Sequence, residues 1–499
     1  CRTLRGDCDR ACVKRPAGSL AGRRFASIRR SMSESSKPKF TRAFWTANAV
    51  ELLERAAWYG VFVALTLYLS RILAFTDIEA ATVAGVFSAG LYFLPTFSGA
   101  YADKIGFRNA LLVAFGLLTI GYGSMWLLPT MLEGAGLVEY GKEVTFMGLK
   151  ESWHKWLFVP VMLCVMVGGS FIKSVITGTV ARETTVETRA KGYSIFYAMV
   201  NVGAFSGKTI VKPLRESMGN EGLVVLNLFA AGMTALAFVL VLLLYKSERT
   251  EGEGKSIGEI VTALKAVLKQ ARLVVLILII TGFWMVQHQM YATMPKYVLR
   301  MAGEGASPSW YANVNPATVV LTVSAVTALM AKRSALFSMT IGMFIMPVSA
   351  MMMAAGNLLG LEPIMGMHPV AFMMVVGIAF QGFAESFISP RFLEYFSLQA
   401  PEGEEGLYLG FSHLHSFLAS LLGFIFSGFL LDSFCPNPQE LPPDQLELYK
   451  TAMETGGALP EAYAHAHYIW YFFVGISALS AVSLVIYGKV VSSIDAKSS

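Results

Sequence analysis

Glu51-Leu52-Leu53-Glu54-Arg55-Ala56-Ala57-Trp58-Tyr59-Gly60 lies inside an apolar run from about Ala43 to Leu73. At ~1.5 Å per residue, a helix of that length crosses a bilayer. Three formal charges therefore fall within a membrane span. Each costs roughly 2.5–3.5 kcal/mol at the bilayer centre, so none can be left facing lipid. Helical spacing puts Glu51, Glu54, Arg55, Trp58 and Phe62 on one stripe, with Leu52, Val61 and Leu65 elsewhere. Such a stripe requires a protein interior or a wet cavity. Two readings follow. A Glu51–Arg55 pair at i, i+4 locks two helices together, or the stripe is a substrate or proton site, the default for ionisable groups at this depth.

Composition sets the class. Of 499 residues, 55% are hydrophobic and only 15% charged, too little charge to cover a soluble surface of this size. The chain reads as a polytopic membrane protein. Its net charge of +6 matters less than where the charge sits, and no nucleic-acid partner is implied. The first 31 residues hold nine Lys/Arg without an apolar core, which excludes a secretory signal. Because residue 1 is Cys and Met32 offers a start, residues 1–31 read as lying upstream of the initiator, and the basic segment 1–40 as disordered. Cys8 and Cys12 are too few ligands for zinc, and Cys164 and Cys435 too few for a disulfide framework. No metal or cofactor is expected.

Apolar length and breaker positions predict twelve spans, near 43–73, 79–102, 109–130, 156–181, 190–214, 222–245, 273–300, 311–331, 335–356, 368–396, 405–432 and 467–491. Lys104 and Arg108, then Arg182, Arg189 and Lys191, then Lys332 and Arg333 occupy loops on the side of the basic N-terminus. The positive-inside rule makes that side, and both termini, cytoplasmic. Glu402, Glu404 and Glu405 dissent, but acidic residues weigh little in the rule. Segment 246–272 divides the spans six and six. Its Ile257, Ile260, Val261, Leu264, Val267 and Leu268 recur at helical spacing, which predicts an amphipathic helix on the inner leaflet.

Two six-helix halves (41–245 and 273–499) joined by such a linker resemble the plan of the major facilitator superfamily, which implies a site at the midplane between halves. Gly99-Ala-Tyr-Ala-Asp103-Lys-Ile-Gly106-Phe-Arg108 is similar to that superfamily's G-x-x-x-D-x-x-G-x-R loop. There Gly106 permits a tight turn, and Asp103 can cap a helix while pairing with Arg108.

Several further stretches look like the proton-dependent oligopeptide transporter family. ELLERAAWYG resembles the family's E-x-x-E-R-F-x-Y-Y-G, and Gly169-Ser-Phe-Ile-Lys173 its fourth-helix motif ending F-F-K. Tyr193 to Phe205, with Phe196, Tyr197, Asn201 and Gly203, resembles F-Y-x-x-I-N-x-G. Phe283-Trp284, Gln287-His288-Gln289, Asn315-Pro316, Glu385 to Pro390, Leu393-Glu394-Tyr395 and Ala400-Pro401 are similar to helices 7, 8 and 10. The order of these motifs, across nearly all of 43–430, is what makes them specific.

Read from the residues, Lys173 is an intramembrane base about ten residues from the loop at Arg182, and its cheapest partner is an acid, Glu51 or Glu54, across a cavity. With Arg55 these groups form a near-neutral cluster able to hold or release one proton. The resemblance implies that Asn201, Asn315 and Glu385 receive a peptide's amino terminus. Tyr59, Tyr92, Trp284 and Gln287 would complete the substrate site. An interhelical hydrogen bond is the rival role for Asn201.

The chain also departs from the family pattern. Phe62 stands where many members carry an arginine that helps clamp the peptide carboxylate, and Ala56 and Trp58 replace Phe and Tyr. Lys208 and Lys212 share a helix face with Asn201, so Lys208 either binds the anion instead or snorkels with Lys212 to outer headgroups. His288, His413 and His415 are further departures, read as packing histidines or as relays. The expectation is a monomeric, non-enzymatic, multi-pass importer of the cell (inner) membrane, moving short peptides with protons. Another organic-anion carrier or a drug exporter is the alternative within the class. A membrane enzyme or a non-transporting receptor is the alternative outside it.

Overall fold

The computed structural model describes residues 40–141, 144–185, 188–246, 256–399 and 411–498, so the basic N-terminal segment and the 402–405 acidic loop lie outside it. Arg42–Ser499 forms one compact unit. It is helical, and among the described residues the only β pairing is in isolated bridges. The first half contains α1 Arg42–Arg71, α2 Asp77–Phe93, α3 Pro95–Ile105, α4 Phe107–Gly134, α5 Phe158–Arg182, α6 Arg189–Met218 and α7 Glu221–Leu244. The connecting helix is α8, Ile257–Leu268. The second half contains α9 Ala271–Ala292, α10 Met294–Ala302, α11 Pro308–Tyr311, α12 Val314–Met330, α13 Ala335–Ala355, α14 Pro369–Leu398, α15 Leu414–Phe434, α16 Pro443–Thr455 and α17 Tyr468–Ser498.

Two expected single spans are broken, and proline explains both. Pro95 lacks an N–H and opens α3, splitting the second span after Phe93. Pro295, in the first turn of α10, splits the seventh after Ala292. Helix starts are capped locally. Thr76 and Glu79 form a reciprocal box at α2, Ser256 and Glu259 another at α8, and Ser334 caps α13. Gly106 adopts φ 85°, the turn read for it between α3 and α4. Its neighbour Arg108 donates to the Leu242 carbonyl at 2.9 Å.

Eleven described helices are long and apolar enough to cross a membrane. The twelfth expected span, α6, has the length at 30 residues but not the apolarity, because Lys208, Lys212 and Arg215 lie along it. The burial pattern is inverted relative to a soluble protein. Leu321 (80% exposed) and Leu479 (69%) are outward, while Glu51, Glu54, Lys208 and Asp77 are buried.

Within the first half α1 packs on α6 and α7, and α4 on α5 and α7; within the second α13 packs on α14 and α17, and α12 on α14. The main contact between halves is α2 against α15. Gly85 and Gly428 allow it: an added Cβ would lie 2.8 Å from the Phe424 Cβ and 2.9 Å from the Ala81 Cβ, respectively. Helices α1 and α6 approach backbone to backbone at Gly203 and Gly207. At Gly207 a Cβ would meet the Ala56 carbonyl oxygen at 2.1 Å, so this contact sets where Arg55 stands. Gly207→Ala is expected to cost about 1–3 kcal/mol of overpacking, read as a lowered thermal midpoint of the detergent-purified protein.

Candidate functional site

Residues from α1 supply the first part of the site. Arg55 lies one turn from Glu51 and next to Glu54, so one guanidinium reaches both acids. It contacts Glu51 at 3.3 Å and takes Glu54 through Nε at 2.5 Å and through a further Nη2 contact. Among the described residues, the side-chain partner of both carboxylates is Arg55, on their own helix. Even so, Glu51 Oε2 is buried without a hydrogen-bond partner. The Tyr122 hydroxyl, also buried and unpartnered, lies within the field of Glu54 and Arg55. Buried polar atoms are ordinarily satisfied, and one left bare in a native fold marks a place where a proton, water or ligand belongs.

The ion pair expected between Lys173 and one of these acids is not formed. Among the described residues no carboxylate lies within 4.0 Å of Lys173, because Arg55 on the same helix already occupies both. Lys173 is instead accessible, its ammonium 5.8 Å from the centre of the Tyr92 ring. Tyr92 in turn stacks on His288 at 6.1 Å.

The second half brings together three residues expected at the substrate site. Glu385 on α14 accepts from Gln287 Nε2 at 2.9 Å and Asn315 Nδ2 at 3.3 Å, both on Oε2. Its Oε1 takes no side-chain donor among the described residues. On α9, Gln287 Oε1 and Trp284 Nε1, one turn apart, are buried and unpartnered.

Lys208 faces this group from α6. It is 2% exposed, which removes the headgroup-snorkelling alternative. Its ammonium donates to the Ala312 carbonyl at 3.2 Å and stands 5.1 Å and 5.7 Å from the Tyr59 and Tyr291 rings. Glu385 is the charge that acts on it. Tyr59 connects the two parts of the site, since Arg55 and Glu385 both act on its hydroxyl. Lys212 parts company with Lys208. It stands 4.4 Å over Trp310 and pairs with Glu216 at 3.5 Å. Asn201 is half-buried, and its amide donates to the Tyr197 carbonyl of its own helix at 2.8 Å rather than across to another helix.

Phe62 is buried in an aromatic cluster. It stacks on Trp58 at 4.6 Å and meets Tyr291 at 4.9 Å and Phe424 at 6.0 Å, drawing in both halves. An arginine there would have no acid to meet among these rings.

A second charged cluster went unread in the sequence. Asp77, at the start of α2, binds Lys296 at 2.7 Å and Arg300 at 2.5 and 2.9 Å, all three buried. Arg300 also donates to the Cys435 carbonyl at 2.6 Å. Beside it the more exposed Glu304 accepts from Arg71 at 2.5 Å and Arg215 at 2.7 Å. Among the described residues, every ion pair joining the two halves lies at this Arg71 end. A cavity of about 620 Å³ opens above the clasp, lined by Arg71, Lys296, Arg300, Glu304 and Tyr449. Lys296 and Arg300, four apart at the end of an apolar run, were the available sequence signal.

This geometry is a helical membrane bundle clasped at one end around a polar centre. A model of the Major Facilitator Superfamily matches residues 48–365, and the chain belongs to that superfamily. It is a multi-pass membrane protein. It is similar to dipeptide and tripeptide permease A of Proteus mirabilis (strain HI4320), 23% identical over 427 residues, which is 77% of this chain and 85% of the relative. The permease of the same name from Pectobacterium carotovorum subsp. carotovorum (strain PC1) is 25% identical over 267 residues, 52% of this chain and 46% of that one. In fold the chain resembles the POT family transporter PepTSo, with a TM-score of 0.66 at 18% identity, covering 91% of this chain and 98% of that one. It also resembles a POT family transporter in complex with 5-aminolevulinic acid, with a TM-score of 0.63 at 16% identity over 89% and 95% of the two chains.

Removing Asp77 would leave two buried cations unpaired. Asp77→Ala is therefore expected to cost about 3–5 kcal/mol. Glu304→Gln, at an exposed pair, should cost about 0.2–1 kcal/mol. Thermal unfolding of the two purified variants checks the ranking.

Proposed function

We propose that this chain is a proton-coupled symporter importing short peptides or peptide-like small polar substrates by alternating access. The observation that carries the reading is the polar centre itself. Glu385, held on one oxygen by Gln287 and Asn315, faces the buried Lys208 from the other half, with bare polar atoms at Glu51, Trp284 and Gln287 nearby. Bare polar atoms occur elsewhere in the bundle as well, at Asn227 and Trp470 for example, but here they accompany an acid and a base facing each other from the two halves, which is what a site for a peptide's ammonium, amide and carboxylate needs. The likeness to dipeptide and tripeptide permeases points to the same substrate class. Nothing in this reading calls for catalysis, and the protein acts as a carrier rather than an enzyme.

In this reading Glu385 Oε1 receives the substrate's ammonium, and Lys208 offers its ammonium to a carbonyl or carboxylate. Tyr59, Tyr92 and Trp284 form the walls, and Asn201 is peripheral. Protons enter at Glu51. Of the two acids on α1, Glu54 has two contacts with Arg55, while Glu51 keeps one bare oxygen and is the acid left free to exchange a proton. Losing that proton strengthens the Glu51–Arg55 attraction, which alters the charge facing Tyr59 and the substrate. The Asp77–Lys296–Arg300 clasp closes the outer side while the halves, 41–245 and 273–499, rock about the centre. The connecting helix α8, Ile257–Leu268, lies on the inner leaflet. The chain sits in the cell (inner) membrane as a monomer with both termini cytoplasmic, consistent with Lys104, Arg182, Lys332 and Arg333 on one side.

Proteoliposomes test this directly. Labelled dipeptide should accumulate when an inward proton gradient is imposed. Glu51→Gln should retain dipeptide exchange across the membrane at equal pH but lose accumulation driven by the gradient. Accumulation by Glu51→Gln equal to that of the parent would remove Glu51 from coupling. Lys208→Ala should lower uptake at least ~10-fold, the worth of one charge-assisted hydrogen bond; unchanged uptake would exclude Lys208 from the site.

A further inference from the structure

Two cavities meet at the clasp, and one cluster of ion pairs divides them. The cavity of about 620 Å³ and a second of about 340 Å³ share Arg71, Asn220 and Glu304 in their walls. Arg71 closes on Glu304 with both terminal nitrogens, Nη1 to Oε2 at 3.0 Å and Nη2 to Oε1 at 2.5 Å. Arg215 adds Nη2 to the same Oε2 at 2.7 Å. A bidentate guanidinium with a second one beside it is the geometry in which arginine recognises a planar carboxylate. The three groups are not equivalent. The Arg215 and Arg71 side chains are 13% and 28% exposed and Glu304 is 61% exposed, so the carboxylate is the member that reaches in from solvent. Ser307 and Ser309 line the smaller cavity with hydroxyls that take no partner among the described residues. Its other acid, Glu216, is held by Lys212 at 3.5 Å.

We propose that Arg71 and Arg215 form a docking site at the outer mouth for the carboxylate of an arriving substrate, and that Glu304 fills it while the mouth is closed. This deepens the transport reading above and rests on it. The two arginines belong to α1 and α6 of the first half, whose backbones touch at Gly203 and Gly207, so they move together. Glu304 follows α10 and belongs to the second half. When the halves part on this side, Glu304 leaves and two guanidiniums stay side by side at the open mouth. Like charges held close without an anion repel. A carboxylate from solution removes that repulsion and takes over the bonds Glu304 made. Lys296 and Arg300 also lose their acid on opening, but they lie deeper and Arg300 keeps the Cys435 carbonyl, so the surface pair is met first. Release follows from the same geometry. On closure Glu304 returns as a tethered competitor at high effective concentration, and an exposed pair of this kind is weak enough to exchange. The substrate's carboxylate is then handed inward, toward Lys208 and Glu385.

Glu304→Gln separates a docking site from a mere latch, because it removes the contact between halves yet leaves both arginines in place. In proteoliposomes taking up labelled dialanine, Arg71→Gln and Arg215→Gln should each raise the half-saturating concentration about 10-fold with little change in maximal rate. Glu304→Gln should lower it, since the competing carboxylate is gone. A rise in all three variants would mean that only the latch matters and would overturn the proposal, as would unchanged half-saturation in both arginine variants. Binding is read separately on the purified protein, with sodium acetate as the probe and sodium chloride at equal ionic strength as the reference. Acetate should raise the thermal midpoint of Glu304→Gln by about 2 °C and leave that of the double variant Glu304→Gln, Arg215→Gln where it was. No response in Glu304→Gln, or an equal response in both, would refute the site. If the parent takes up no dialanine while acetate still singles out Glu304→Gln, the peptide reading fails and the carboxylate site stands.

Discussion

A charge inside a bilayer must find its counter-charge within the protein, and this constraint organises the molecule. Two buried clusters meet it in different ways. At the clasp, Asp77 is saturated by Lys296 and Arg300, so that cluster works as a lock between halves. At the centre the matching is incomplete. Among the described residues Arg55 has two acids, Glu385 has two amides and no cation within ion-pair distance, and Lys208 and Lys173 have no acid within that distance. Under the proposed function, incomplete matching suits a zwitterion, whose own charges would complete it.

Close helix contacts make this arrangement possible. Charged side chains can stay off lipid only if their helices approach closely, and the glycines at 203, 207, 85 and 428 allow that approach. The α1–α6 contact presents Arg55 and Lys208 toward the same interior, and the α2–α15 contact brings Ser420 to Ser88 of the first half. Packing and chemistry are therefore coupled: a change at Gly207 alters the site as well as the stability.

The aromatic cluster at Phe62 follows from the same constraint. With Trp58, Tyr291 and Phe424 it seals the space between α1, α9 and α15, and no charge can enter there without an acid. In the proposed transport reading an anion is met elsewhere, and Lys208 and Lys173, neither within ion-pair distance of an acid among the described residues, are the cations the fold offers at the centre.

The residues alone were enough to read a helical membrane protein with twelve long segments, a possible Glu51–Arg55 pair and the turn at Gly106, while the family resemblance supplied Gln287, Asn315 and Glu385 as candidates. Each is a matter of apolar length, of i, i+4 spacing, of backbone conformation or of motif order, and none depends on distant contacts. Only the tertiary structure decided which partners are reached. It broke the second and seventh segments at Pro95 and Pro295, left Lys173 without its expected acid, buried Lys208 while leaving Lys212 beside Trp310 and Glu216, and joined Asp77 to Lys296 and Arg300 across more than 200 residues of chain. The reason is physical. A buried ion pair depends on which side chains lie within about 4 Å, and in a bundle that is set by how helices distant in sequence pack together.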